Sequence, residues 1–146
     1  VERSLIAAVP PTQVCMNCHA QVRKDSPRLA ALRESWAKGT PVPWLRVHKA
    51  PDYVYFPHNR HATSGVSCVE CPGRIDQMVR VRQEQPLSMG WCLECHRDPA
   101  SHLRPVDKIT TMDWQPPEGE TRQSFGEKLV QANKIAPPTD CSRCHR

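Results

Sequence analysis

Cys92-Leu93-Glu94-Cys95-His96 is the stretch on which the reading of this chain turns. Two thiols separated by two residues, with an imidazole directly after the second, form the Cys-x-x-Cys-His pattern of covalent c-type haem attachment. The spacing has a chemical reason. The thiols add to the two vinyl groups on one side of a porphyrin, and the adjacent histidine then reaches the iron from the proximal face. Working outward, the same pattern stands at Cys15-Met16-Asn17-Cys18-His19 and at Cys141-Ser142-Arg143-Cys144-His145. A fourth pair, Cys68-Val69-Glu70-Cys71, is followed by Pro72, which cannot ligate iron. All eight cysteines fall into these four pairs. The reading favours a haem at Cys68/Cys71 held by two thioethers with an altered axial ligand, against a pair that holds none.

Other uses of eight cysteines were weighed. A disulfide framework leaves three precisely spaced histidines without a purpose. Cys68/Cys71 and Cys92/Cys95 enclose twenty residues, which fits a zinc-ribbon template and tolerates Pro72. Zinc would leave His96 idle and the two outer Cys-x-x-Cys-His motifs unexplained. A thioredoxin-like dithiol requires a βαβ context that the sequence lacks. Haem is the favoured reading, with about four groups expected from the four pairs.

Seven histidines are present, and three are proximal: His19, His96 and His145. Of the others, His58 and His61 stand three apart in Tyr55-Phe56-Pro57-His58-Asn59-Arg60-His61, a spacing that can send two imidazoles to different haems. His48, in Trp44-Leu45-Arg46-Val47-His48, is a further distal candidate. His102, after the turn-like Asp98-Pro99, reads as a surface residue ahead of the alternative, a fourth distal ligand. Met16, Met89 and Met112 are fallback ligands that more naturally pack on haem faces. Iron held by two imidazoles has no open position and suits electron transfer over substrate chemistry. A haem reductase would need an open iron, and the Cys68/Cys71 site is the one hint of it.

Composition agrees with a cofactor-filled interior. Of 146 residues, 38% are hydrophobic and 5% aromatic, and fifteen are proline. That supply of apolar side chains is poor for a chain that must bury most of its unfolded surface, and proline restricts long helices and central strands. The expected fold is mostly irregular with a few short α-helices. One amphipathic helix is expected from Ser26-Pro27 through Leu29, Leu32 and Trp36 to Gly39. Another is expected to open at a Ser124/Glu127 capping box and run to about Asn133 before Pro137-Pro138. Tyr53 to Phe56 reads as a short strand, and Pro99 to Gly119 as largely irregular.

The net charge of +5 does not point to nucleic acid, since no run of five like charges and no basic, aromatic-interleaved stretch occurs. Each ferric haem with ionised propionates adds roughly one negative charge, so four would nearly cancel the excess. The apolar run from Leu5 to Val9 is far too short to span a bilayer, so no transmembrane segment is expected in this chain. No signal-peptide pattern opens it.

Phe56-x-His58-x-x-His61 followed by Cys68-x-x-Cys71 resembles the ligand pattern of class III multihaem cytochromes. The resemblance narrows further. Val9-Pro10-Pro11-Thr12 before Cys15, Pro43-Trp44-x-x-Val47-His48, Asp52-Tyr53-Val54-Tyr55-Phe56, Gly65-Val66-Ser67-Cys68 and Pro86-Leu87-Ser88-Met89-Gly90-Trp91-Cys92 are similar to the pentahaem cytochrome subunit of bacterial alternative complex III. It covers residues 1–105 well and the remainder through the last attachment site. The resemblance implies a class III-like fold organised around stacked haems, with His58 serving the haem at Cys68/Cys71 and His61 a neighbour. It also implies a periplasmic relay, peripheral on a quinol-oxidising membrane complex, with an iron-sulfur subunit and a monohaem cytochrome c as partners. Two departures stand out. The family carries a further attachment segment upstream of a Val-Glu-Arg-Ser stretch, where this chain begins, so residues 1–146 are expected to form one domain without that first haem. Pro72 stands where the family has a histidine.

Overall fold

A computed structural model describes residues 3–6 and 8–145. Among these residues the secondary structure is six short helices, α1 (Thr12–His19), α2 (Ala30–Lys38), α3 (His58–Thr63), α4 (Met89–Arg97), α5 (Arg122–Asn133) and α6 (Cys141–Cys144), with four single 3₁₀ turns. There is no strand among the described residues, and extended pairing is limited to two isolated antiparallel bridges, Val54 with His145 and Val66 with Leu103. The mostly irregular, short-helix architecture expected from proline content and sparse apolar residues is what is observed.

The chain divides into two compact units: Ala8–Arg46, and Val1–Ala7 with Val47–Arg146. In the smaller unit, the helix expected from Ser26 begins as a 3₁₀ turn, Pro27–Leu29, before becoming α2. Gly39 ends it in the left-handed conformation at φ +64°, which glycine adopts without penalty. The expected apolar face is only partly buried. Leu32 is buried, whereas Trp36 is half exposed, and the buried position beside it belongs to Ser35. The Ser35 hydroxyl is satisfied there by Thr12 Oγ1 of α1 at 2.9 Å and by the Thr40 carbonyl.

In the larger unit, two expectations are corrected. Tyr53–Phe56 is not a strand. Val54 bridges His145, and the Tyr55 amide donates to the Cys144 carbonyl at 2.9 Å. On the partner side His145 is extended, but the residues before it form the one-turn helix α6 and offer no strand to pair with. The final long helix opens three residues earlier than expected. Thr121 caps it, accepting the Ser124 amide at 3.0 Å while the Ser124 hydroxyl accepts the Thr121 amide at 3.0 Å. Ser124 therefore plays the third-position role of a capping box, which a Ser-to-Glu template assigns to the wrong residue. Helix α4 is capped by Ser88, whose hydroxyl accepts the Trp91 amide.

The core of the larger unit is the contact of α5 with the segment 100–109. Ala100, Leu103 and Ile109 are almost completely buried, and Ala62 of α3 joins them as the fourth buried apolar residue of this unit. Gly126 of α5 allows the close approach: a Cβ there would lie 1.7 Å from the Ala100 carbonyl oxygen, a backbone atom that cannot swing away. Among the described residues Leu45 is 90% exposed, Trp44 64% and Tyr53 63%, so the large apolar side chains are mostly not buried by the polypeptide itself.

Substituting Gly126→Ala is expected to lower the stability of the protein by about 1–3 kcal/mol, the usual cost of forcing extra atoms into a packed contact. Gly90→Ala in α4 meets nothing within 4 Å. It is expected to be neutral or to gain up to about 1 kcal/mol from helix propensity. Thermal melting followed by far-ultraviolet circular dichroism distinguishes the two, and equal melting temperatures would refute the packing argument.

Candidate haem sites

The three Cys-x-x-Cys-His motifs lie on helices, and the fourth pair does not. Cys15, Cys18 and His19 lie in α1; Cys92, Cys95 and His96 in α4; Cys141 and Cys144 in α6 with His145 at its end. A helix places two cysteines three residues apart on neighbouring positions of one face, with the next residue one step further round. Cys68–Glu70 is instead one 3₁₀ turn, capped by Ser67. The turn ends at Cys71, which stays in the right-handed region at φ −100°, ψ −57° before Pro72.

The larger unit brings three of the four pairs together. The Cys71 thiol feels Cys95, Cys92 and Cys68, and the Cys92 thiol feels Cys144. Burial, reinforced by the neighbouring Cys95, pushes the free Cys71 thiol up to about 12. Burial with Glu70 pushes that of Cys95 up to about 11. Thiols held so far above neutral are poorly disposed to act as a redox dithiol, which requires thiolate. None of the eight cysteines is in a disulfide. Nor is any group of three or more His, Cys, Asp or Glu gathered to hold a metal ion among the described residues, so Cys68/Cys71 and Cys92/Cys95 do not assemble the tetrahedral set of a zinc ribbon.

The imidazoles are positioned by the backbone. His19 Nδ1 lies 3.0 Å from the Val22 carbonyl, His58 Nδ1 3.2 Å from that of Leu5, His61 Nδ1 3.0 Å from that of Pro57, and His96 Nδ1 2.6 Å from that of Pro138. A carbonyl can only accept, so in each case Nδ1 carries the proton and, in the neutral ring, Nε2 carries the lone pair. That is the arrangement by which a metal-ligating histidine has its ring and tautomer fixed from behind. Phe56 adds an apolar brace: its ring stacks on His61 at 4.2 Å and meets His58 edge-on at 4.8 Å. His61 is held below the ordinary histidine range by burial, with the nearby His96 and His58 adding to the effect against the opposing Pro57 bond. The neutral ring is the form that ligates. The His61 and His96 rings lie 6.1 Å apart, centroid to centroid. His145 lies beside Tyr53, with ring centroids 5.6 Å apart.

His48 tests whether these residues fit haem. Its Nε2 is buried without a hydrogen-bond partner. A buried polar atom without a partner calls for an explanation, and a nitrogen meant for iron is one. With the tethered imidazoles and the half-exposed aromatic residues, the donor set fits a covalently held, bis-imidazole haem better than zinc or disulfides.

Sequence reasoning ranked His102 as a surface residue ahead of a ligand and did not find its partner. The histidine is half buried, not a free surface residue, and its Nδ1 lies 2.8 Å from Glu70 Oε2, inside the Cys68/Cys71 pair. That bond holds His102 above the ordinary histidine range. The signal was a carboxylate between two cysteines whose following histidine is absent.

The motifs and the tethered imidazoles are features that a multihaem c-type cytochrome would use. The chain is 28% identical, over 145 residues and 99% of its length, to the multihaem cytochrome c subunit of menaquinone reductase from Nitratidesulfovibrio vulgaris (strain Hildenborough). It spans 55% of the length of that relative. No protein-family model matches the chain. The similarity supports the multihaem cytochrome c family and does not single out alternative complex III.

Proposed function

We propose that this chain is an electron-transfer relay carrying a c haem on each of its four cysteine pairs, as part of a quinone-linked respiratory membrane complex. The observation that carries the proposal is the set of backbone-tethered imidazoles, each presenting Nε2, beside cysteines spaced for thioether attachment. The bound haems would supply one-electron chemistry. The chain's own residues would fix them, choose their axial ligands and keep water from their faces.

The roles follow from residue chemistry. Cys15/Cys18, Cys68/Cys71, Cys92/Cys95 and Cys141/Cys144 would form the thioethers. His19, His96 and His145 would be proximal ligands, and His48, His58 and His61 distal ones. Metal–imidazole bonds are about 2.0–2.1 Å long, which puts the ring centroids of two imidazoles on opposite sides of one metal roughly 6 Å apart. The His61–His96 separation of 6.1 Å supports pairing these two on one iron. The six imidazoles so assigned can fill both positions on three irons at most, and an iron held by two imidazoles has no position for substrate, which favours relay over reductase chemistry there. Close packing of three pairs in the larger unit supports an arrangement of neighbouring, stacked haems.

Covalent c haems favour an extracytoplasmic placement, and the relative's name, a subunit of menaquinone reductase, supports membership of a larger complex. No helix among the described residues is long and apolar enough to cross a membrane. An iron-sulfur subunit and a monohaem cytochrome c are the partners implied by the family resemblance. That resemblance favours quinol oxidation, whereas the relative's name describes a menaquinone reductase. The same relay serves either direction, because partner potentials set the flow.

Pyridine haemochrome analysis of the matured chain, counted against protein, is expected to give four haems, and Cys68→Ser/Cys71→Ser three. A count of three in the unmodified chain would empty that pair, and a count of zero would end the cytochrome proposal. His61→Ala is expected to leave the haem count unchanged and to open one iron, read as one additional equivalent of carbon monoxide bound by the reduced protein. Unchanged carbon monoxide binding would remove His61 from the ligand set.

A further inference from the structure

We propose that His102 supplies the axial imidazole that Pro72 removes from the Cys68/Cys71 site. The inference rests on the proposal above that this pair holds a haem. It concerns which side chain then holds the iron.

Two observations set this site apart. Its cysteines lie on a 3₁₀ turn followed by proline, so no adjacent side chain can ligate. Its third residue, Glu70, also holds a histidine from thirty-two positions downstream: His102 Nδ1 lies 2.8 Å from Glu70 Oε2. A carboxylate bond at Nδ1 leaves Nε2 as the ligating nitrogen, in the carboxylate–histidine–metal arrangement of many metal centres. His19, His58, His61 and His96 are tethered to neutral carbonyls. Of the tethered imidazoles, His102 is the one whose tether lies within a cysteine pair.

The surrounding chain holds His102 against the attachment turn. Leu103 bridges Val66, the Arg104 amide donates to the Gly65 carbonyl at 3.0 Å, and the Cys68 amide donates to the Ile109 carbonyl at 3.1 Å. The buried Ser67 hydroxyl donates to the same Ile109 carbonyl at 3.0 Å. Gly65 has φ +88°, and a Cβ there would meet the Arg104 carbonyl oxygen at 2.5 Å, so the segment 100–109 lies directly on the backbone that leads into Cys68. On the other side α5 presses on Ala100 through Gly126. Glu70 is itself steadied. Arg104, 2% exposed, brings Nη2 to 3.8 Å from Glu70 Oε1, donates to the Thr111 carbonyl at 2.8 Å, and lies over the Trp114 ring at 5.3 Å. These contacts fasten His102 to Glu70, the residue that lies between the two cysteines in the chain.

A purely structural role is the competing explanation, with His102 and Glu70 as an ion pair that fastens one segment to another. Loss of either partner would then act alike and leave the irons unchanged. The test uses the full, haem-loaded chain, with the haem count measured for every variant. With the count at four, His102→Ala is expected to convert one low-spin ferric haem to high spin by electron paramagnetic resonance. It is also expected to add one equivalent of carbon monoxide binding on reduction, and added imidazole should restore the low-spin signal. Glu70→Gln is expected to leave the spin states as in the unmodified chain and to raise the midpoint potential of one haem. His102→Met serves where His102→Ala does not mature, and is expected to bring in the weak red absorption band of a methionine-ligated ferric haem. A count of four with spin state and carbon monoxide binding unchanged in His102→Ala, or with no such band in His102→Met, overturns the inference while leaving the relay intact. A count of three in the unmodified chain, with Cys68 and Cys71 open to alkylation, overturns it by a different route, because that pair then holds no haem.

Discussion

A backbone carbonyl at Nδ1 of an imidazole is a small contact, yet much of this molecule's local order serves it. The His19, His58, His61 and His96 rings each depend on one such bond. Three of the acceptors are bound up with proline or a helix end: Pro57 at the start of α3, Pro138 before α6, and Val22 just past α1. Proline fixes its own φ and limits its neighbour. A proline-rich chain can thus hold acceptor groups in place without long helices or sheets. The fifteen prolines that look like an obstacle to folding are, at these positions, part of what orients the rings.

The same constraint explains the meagre core. Five apolar residues are buried among those described, and two of them are alanines. The close contact between α5 and segment 100–109 is tight because it is built from glycine and alanine backbones, not from large side chains. Large apolar groups such as Trp44, Leu45 and Tyr53 lie on the outside of the polypeptide, free to cover flat apolar cofactors. On the relay reading, the haems serve as the interior for these residues, and burial of haem surface would contribute to folding as apolar side chains do elsewhere.

The attachment motifs are legible in the sequence because such a motif is local: two thiols and an imidazole have to be neighbours in the chain. Short helices were readable where a cap or a left-handed glycine is itself local, as at Gly39. What escaped was set by partners distant in sequence. Val54 reads as a strand residue, but pairing ends after one bridge because its partner, His145, closes a helix. Ser124 resembles an N-cap, and it loses that role to Thr121 because a serine hydroxyl can also fill the third position. His102 looked like a surface residue because nothing near it in sequence binds it, and its partner Glu70 lies across the fold.

The two kinds of tether bear on how a relay of chemically identical groups is given unequal sites. A neutral carbonyl orients an imidazole and adds little charge. A carboxylate makes the ring a stronger donor and places negative charge near the metal it ligates. Either effect stabilises ferric over ferrous iron. Arg104 acts the other way, since a buried guanidinium beside Glu70 offsets part of that charge. On the relay reading, the Cys68/Cys71 site would then be tuned by the balance of Glu70 against Arg104, while the other sites depend on burial and ring orientation. Axial ligand identity, burial and hydrogen bonding are the means by which a protein sets haem potentials. Replacing one adjacent histidine with proline would hand that setting, at one site, to residues elsewhere in the chain.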